Sequence, residues 1–523
     1  MPSILFCLTC LSLGGFISMQ DLPTPAEASE WKRTTTLAQA QEFLGALEAR
    51  DAGARLQVGV AGTSGENRPI LLVAAGKGAT LDAAQARSRE GLRILVVGNI
   101  HAGEVEGKES LLILLREIVG GDHDELLDGL QFWCLPIYNV DGNEAIKRSN
   151  RVSQNGPEEG VGQRPNAAGL DLNRDFVKAE ASETRALLKL FNEYDPHLVL
   201  DLHTTNGSYH GYHLTYATSL SPNTDPRLDR FARNLILEET RQDLQENHGV
   251  FTFDYGNLSQ RTPLTWSTYD HRPRFGTNML GLRNRLSVLS EAYSYLEYPK
   301  RVEVTREFVL GIVRRAKIHG EALMQLEASL DQEASKGKPF SLGLDTALVA
   351  DTPGTILLGA VDEVPIEGLG VRRVDRDEHV PTLVGLRLSF EPGRYSVHPR
   401  AWAIEKPEPG DQEVLKRHGI QFRILDAPVS CTSRRFQIAE AQRAKRLFQA
   451  HYELTLVGEW EGGPTELPAG TLLVSSAQPL TRVAAQLLSP QSEDSLWTWG
   501  HFDGRLDQNG SQACVLRVET LVD

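Results

Sequence analysis

The chain is 523 residues long, 41% hydrophobic and 24% charged, with a net charge of −15. That length predicts more than one domain, and the composition excludes a disordered, collagen-like or coiled-coil protein. The acidic balance argues against nucleic acid or anionic membranes as partners, and five cysteines are too few for a disulfide scaffold, so a bound metal would fall to His and carboxylate ligands.

In chain order, the first feature is an apolar run from Ile4 to Ile17, too short to span a bilayer and of the length of a secretory signal core. Ala26-Glu27-Ala28 is the small-x-small site that follows it. Residues 1–28 are therefore expected to be a signal peptide, and the protein to be exported to a periplasmic or extracellular space. Removing it would leave Cys134, Cys431 and Cys514, an odd set with no evident pairing. No other segment approaches a transmembrane helix.

From about residue 30 to 335, strand-like and helix-like segments alternate. Leu92–Ile100 is a near-continuous apolar run, as expected of a strand buried on both faces. A helical stretch over 107–119 follows, then a strand over 132–137 closed by Asn139-Val-Asp-Gly142. Residues 183–194 read as a helix ended by Asp195-Pro196, and His197–His203 as a strand. Residues 227–247 read as a helix closed by Gly249, 286–290 as a short strand, and 301–334 as mainly helix. This alternation predicts an α/β fold, a mainly parallel mixed sheet with helices on both faces, over a catalytic domain of residues 29–335. Lys336-Gly-Lys-Pro339 reads as a linker. Beyond it, residues 336–523 are expected to form a β-rich α+β accessory region, with strands at 355–358 and 470–474 and helices at 437–450 and 480–488. Trp497, Trp499 and Phe502 cluster there, and core packing is a better reading of them than a carbohydrate platform.

Three segments place metal-capable residues where apolar strands end. His101-Ala-Gly-Glu104 follows the first buried strand, and a His and Glu three apart can converge on one Zn²⁺. Glu106 and Glu109 are wrongly spaced to join them. His203 ends the strand 197–203, where period-2 alternation puts Val199, Asp201 and His203 on one face. Glu291 follows the strand 286–290, where partial burial would raise its pKa and suit it to moving a proton. Between them, Gly169-Leu-Asp-Leu-Asn-Arg-Asp175 offers Asp171, Asn173 and Arg174 as a grip for an anion. Residues at the carboxyl ends of successive parallel strands are where open α/β sheets bind ligands.

Taken together, these motifs over roughly residues 58–300 resemble the zinc carboxypeptidases, the metallocarboxypeptidase A-like family (M14), in its large bacterial form with a C-terminal accessory region. The ordered set is Gly62-Thr-Ser-Gly-Glu-Asn-Arg-Pro69, His101-x-x-Glu104, Asn139-x-Asp-Gly142, Arg148-x-x-Arg151, Asp171-x-Asn-Arg174, His203 and Glu291. In the first of these, Asn67 displaces the family's usual Gly. The resemblance implies one Zn²⁺ held by His101, Glu104 and His203 with water as the fourth ligand, and Asp171 orienting His101. It implies Asn173 and Arg174 for the substrate's terminal carboxylate, and Arg151, with Arg148 as a competitor, for the scissile carbonyl. Glu291 would be the proton shuttle, and Tyr269 the capping tyrosine, although Tyr269-Asp-His-Arg-Pro-Arg-Phe275 departs from the family's usual loop and Arg272 or Arg274 could serve the pocket instead.

The expected activity is removal of a C-terminal residue from a peptide with a free carboxylate. One rival is a zinc amide hydrolase acting on acyl amino acids or cell-wall peptides. A rival of another class is a catalytically silent binding protein on the same fold, against which retention of the whole set argues. Too few residues precede the Gly62 motif for an inhibitory prodomain, so none is expected. Side-chain preference and oligomeric state are not legible.

Overall fold

The computed structural model describes residues 22–205, 207–505 and 512–521. Ten strands occur in its first part: β1 Leu56–Thr63, β2 Pro69–Ala75, β3 Leu92–Gly98, β4 Leu130–Leu135, β5 Leu198–Thr205, β6 Leu214–Ala217, β7 Thr252–Asp254, β8 Asn257–Leu258, β9 Thr265–Ser267 and β10 Leu286–Tyr293. Eight of them form one sheet in the order β1-β2-β4-β3-β5-β10-β6-β7. Its centre, β4-β3-β5-β10, is parallel, and the outer pairs β1/β2, β2/β4 and β10/β6 are antiparallel. The expected mixed, mainly parallel sheet is thus present. Every residue of β5 is buried, Asp201, His203, Thr204 and Thr205 included, because both faces of the sheet's centre are covered.

Helices cover both faces. Helix Glu106–Gly120 lies on the Leu202 face, so close that a Cβ on Gly107 would stand 2.7 Å from the Leu202 Cβ. Glycine is what allows that approach. On the opposite face, Val199 and Asp201 line a small apolar space with Leu187 and Phe191 of helix Ser182–Tyr194 and Leu280 of helix Gly276–Leu282. Helix Ser182–Tyr194 stops at Asp195, whose φ of 49° is left-handed, just before Pro196. The expected helix over 301–334 is Tyr298–Ser335.

Residues 336–523 are β-rich. A six-stranded sheet is built from 423–424, 472–475, 401–404, 512–521, 429–443 and 454–467, in that order. One expectation fails here: 437–450 is not a helix. Residues up to Arg443 belong to strand Val429–Arg443, paired antiparallel with both Leu454–Leu467 and Gln512–Leu521. Its Ala, Glu, Gln and Arg content favours helix locally, and two-sided ladder pairing overrides that preference. Helix Thr481–Leu488 agrees with expectation, and Trp497, Trp499 and Phe502 are buried in the core.

The two regions are joined rather than strung on a linker. Strand Val380–Arg387 pairs in parallel with β9, and one buried cluster runs from Leu37 to Val515. At the other end, most of the expected signal peptide (1–21) lies outside the described residues. Residues 22–28 pack on the domain: Arg116 donates to the Leu22 carbonyl (2.9 Å) and to both carboxylate oxygens of Glu27 (2.6 and 3.0 Å). No helix among the described residues is long and apolar enough to cross a membrane.

Candidate metal centre and substrate pocket

Parallel pairing of β3, β5 and β10 brings their carboxyl ends side by side. His101 follows β3, His203 lies near the end of β5, and Glu291 is the register partner of His203 on β10. His101, Glu104 and His203 are buried, with ligand atoms all within 4.8 Å of one another. The two histidine Nδ1 atoms are 3.2 Å apart, and they lie 3.0 and 2.8 Å from the two Glu104 carboxylate oxygens. Atoms coordinating one Zn²⁺ tetrahedrally at about 2.05 Å stand about 3.3 Å apart, so the donor set and its spacing fit that ion. Glu106 and Glu109 point elsewhere, to Arg301 and to Thr34 and Thr35.

Both rings are oriented from behind. His101 Nε2 donates to Asp171 Oδ1 at 3.0 Å, and His203 Nε2 lies 2.9 Å from Asp201 Oδ2. Each carboxylate holds Nε2 protonated and leaves Nδ1 for the metal. Asp201 was placed on the His203 face by strand alternation, but its partnership was not anticipated; a carboxylate two residues before a strand-end His is the signal. Burial works against ionised Glu104, yet His101, Arg151 and His203 outweigh it and hold the carboxyl well below its usual range. Burial also disfavours charge on His203, and Asp201 and Glu104 override it, raising its pKa well above the ordinary value.

Asp171 is the hub of the site. Besides His101, it accepts from the Asn173 backbone N–H (2.9 Å) and from Arg164 through Nε (2.9 Å) and Nη2 (2.8 Å). Desolvation opposes its charge, but the His101 hydrogen bond and the surrounding cations leave it far below the usual carboxylate range. Asn173 accepts from the Gly276 N–H at 2.9 Å, and Arg174 donates to the Asn173 carbonyl and stacks 3.8 Å over the Phe275 ring. Burial lowers the Arg174 pKa.

A cavity of about 220 Å³ opens beside the triad, lined among others by Arg164, Asn173, Arg174, Tyr255, Tyr269 and Glu291. Desolvation pushes the Glu291 carboxyl up to about 8, with Glu104 adding to the shift and His203, Arg164 and Arg151 opposing it. Tyr269 reaches the cavity, and its hydroxyl is paired with Thr277 Oγ1 at 2.8 Å.

The structure sorts the arginines differently from the sequence. Arg148 is exposed and lines a separate cavity, not the one beside the triad. Arg151 lies behind Glu104: its φ is 50°, and its Nη2 donates to Glu104 Oε1 at 2.5 Å. Gly103 makes room for it, since a Cβ there would stand 2.7 Å from Arg151 Nε. Arg164, which no spacing rule singled out, occupies the cavity wall, 3.8 Å from Glu104. Arg272 is paired with Asp270 (2.8 Å), and Arg274 with Asp494 (2.9 Å) and Glu453 (2.7 Å), and the lining of the cavity beside the triad includes neither.

Residues 41–272 match the zinc carboxypeptidase family model, Peptidase_M14. Among curated proteins, the probable carboxypeptidase 2 of Arthroderma benhamiae is 27% identical over 34% of this chain and 30% of its own length. Carboxypeptidase D of Mus musculus is 33% identical over 22% of this chain and 9% of its own length. The chain thus spans less than a third of either relative. Among solved structures, a metallo-carboxypeptidase from Burkholderia cenocepacia aligns over 55% of this chain and 70% of its own, at 18% identity and a TM-score of 0.40.

Proposed function

From the match of residues 41–272 to the zinc carboxypeptidase family model, we propose that this chain is a metallocarboxypeptidase that hydrolyses the C-terminal peptide bond of peptides. The observation that carries this reading is the convergence of His101, Glu104 and His203 at the carboxyl ends of parallel strands, with Glu291 in register beside His203. Zinc bound there would polarise the scissile carbonyl and acidify a water molecule.

The remaining roles fall to the protein. Asn173 and Arg174 hold the substrate's terminal carboxylate, with the Phe275 ring fixing the guanidinium plane. That grip positions the bond to be cleaved. Glu291 accepts the water's proton and returns it to the leaving amine. A dication held at the triad would favour its carboxylate form. Arg164 stabilises negative charge on the carbonyl oxygen from the cavity wall, in place of Arg151, which is committed to Glu104. Tyr269 closes one side of the cavity.

Export belongs to the same proposal, on the strength of the apolar run at residues 4–17.

The test is zinc quantification on the purified protein, with hydrolysis of a panel of free peptides, C-terminally amidated peptides and acyl amino acids by wild type and Glu291→Gln. One zinc per chain, cleavage of free-carboxylate peptides only, and loss in the variant are expected. Cleavage restricted to acyl amino acids would move the assignment to an amide hydrolase. Absence of zinc from protein with intact His101 and His203 would overturn it.

A further inference from the structure

A second cavity, about 340 Å³, lies on the far side of Arg151 from the metal centre. One wall is the loop 148–161, and the other is the accessory hairpin of strands Val361–Ile366 and Gly370–Asp375. The hairpin is tied down beside it: the Arg373 N–H donates to the Ser153 carbonyl at 3.0 Å, and the Asp375 N–H to the Tyr295 carbonyl at 2.9 Å.

The lining is built for a polar ligand. Gln154 is 5% exposed, and neither its carbonyl oxygen nor its amide nitrogen has a partner. Arg151 Nη1 and Arg372 Nε are buried without partners in the same lining. Buried polar atoms left unpaired are costly, and these four, on three residues of the cavity's lining, gain partners if their side chains turn toward a ligand held there. Arg148 adds a third guanidinium, while the two carboxylates, Glu158 and Glu367, are exposed.

We propose that this cavity binds an acidic residue of a peptide. The guanidinium groups take its side-chain carboxylate, and Gln154 pairs with the adjoining backbone amide. Arginine forks match a carboxylate, and a side-chain amide offers the donor and acceptor that a peptide group needs. Arg151 connects the two sites: its Nη2 donates to Glu104, and its side chain is part of the cavity's lining. A substrate whose terminal carboxylate sits at Asn173 and Arg174 would run past Arg151 into this cavity with its upstream residues. That placement rests on the function proposed above, whereas the binding chemistry does not.

Two measurements on the zinc-loaded full chain decide it. The first is calorimetric titration with acetyl-Glu-amide, which lacks the free C-terminal carboxylate that Asn173 and Arg174 would take, and with acetyl-Gln-amide as control. The second is kcat/KM for peptides that share a C-terminal residue and carry Glu or Gln at each upstream position. We expect Glu to be favoured about tenfold in both, the loss of one charge-assisted hydrogen bond. Arg372→Gln should abolish the preference and Arg372→Lys retain most of it, with melting curves confirming that both fold. Acetyl-Glu-amide binding without a kinetic preference supports the site with free acidic peptides as its ligands. Equal response to Glu and Gln in both measurements overturns it. Failure to cleave any peptide would count against the proposed function, and the titration alone would then judge the cavity.

Discussion

Gln449 Oε1 accepts a hydrogen bond from the backbone N–H of Asp171 at 2.8 Å, across 278 residues of chain. The accessory region thus touches the residue on which the site converges. Gln449 and Ala450 both have left-handed backbone angles, at a tight turn closed by the reciprocal Phe448–His451 bridge. His451 pairs with Glu180 on the neighbouring loop at 2.9 Å. Asp171 begins the short turn that carries Asn173 and Arg174, so the accessory region helps to set the position of the proposed carboxylate grip.

Gln449→Ala is therefore expected to raise KM by about two- to tenfold, the worth of one hydrogen bond, with a smaller change in kcat. Steady-state kinetics on one good peptide substrate checks this. Unchanged KM and kcat would mean that the turn is held by other contacts.

Asp171→Asn removes the negative charge behind His101 and puts an NH2 donor in place of one acceptor oxygen, so the Nε2-protonated tautomer is no longer fixed. It should weaken zinc about 10- to 100-fold, measured by competition with a chelator. A variant that keeps wild-type affinity would show that Asp171 serves substrate and not metal.

Arg164 and Arg151 are separable by mutation. Arg164→Met should lower kcat by about 10²- to 10³-fold if it meets the developing oxyanion. Arg151→Met should act on zinc retention through Glu104. The reverse pattern would restore Arg151 to the carbonyl.

The junction of the two regions rests on a buried ion pair. Asp494 is fully buried, accepting from Arg274 at 2.9 Å and from the Trp499 indole N–H at 2.9 Å, while the Arg274 guanidinium stacks 4.6 Å from the Trp499 ring. Asp494→Ala strands Arg274 in the core and should cost about 3–5 kcal/mol by urea denaturation. A loss below about 1 kcal/mol would show that Glu453 compensates.

Acid stability follows from neutral buried histidines away from the metal. Burial lowers the pKa of His197 and of His210 to about 3 and that of His418 to about 4. Below the ordinary value near 6.5 the unfolded chain takes up these protons and the folded chain does not, so stability falls as pH drops from about 6.5 toward 4. Each histidine steepens that fall by up to about 1.4 kcal/mol per pH unit. His418 Nε2 donates to the Val177 carbonyl at 2.9 Å, and His418→Gln can keep that bond. The variant should flatten the profile, and an unchanged slope would exclude His418 as a contributor.

How much was legible depended on the range of the determining contacts. The triad was legible through the resemblance of the ordered motifs to a known family, and local rules added that its members lie where strands end. Apolar runs mark β3, β5 and β10, parallel pairing aligns their carboxyl ends, and the three-residue step from His101 to Glu104 spans one turn. Strand alternation also put Asp201 on the His203 face. The arginines were not legible: residues 145–171 have no hydrophobic period, so nothing local says that Arg151 turns behind Glu104 while Arg164 lines the cavity. The strand over 429–443 was hidden for a related reason, since its composition favours helix and only its two neighbours make it a strand.

The order of the motifs and the α/β core were thus determined by the sequence itself, because backbone periodicity and burial act over a few residues, and the candidate metal ligands were legible through the family those motifs resemble. Tertiary structure alone decided which arginine faces the pocket, that Gln449 supports Asp171, and that the hairpin 361–375 walls a second cavity. Those contacts join surfaces whose meeting depends on the packing of the whole chain, and no local pattern encodes it.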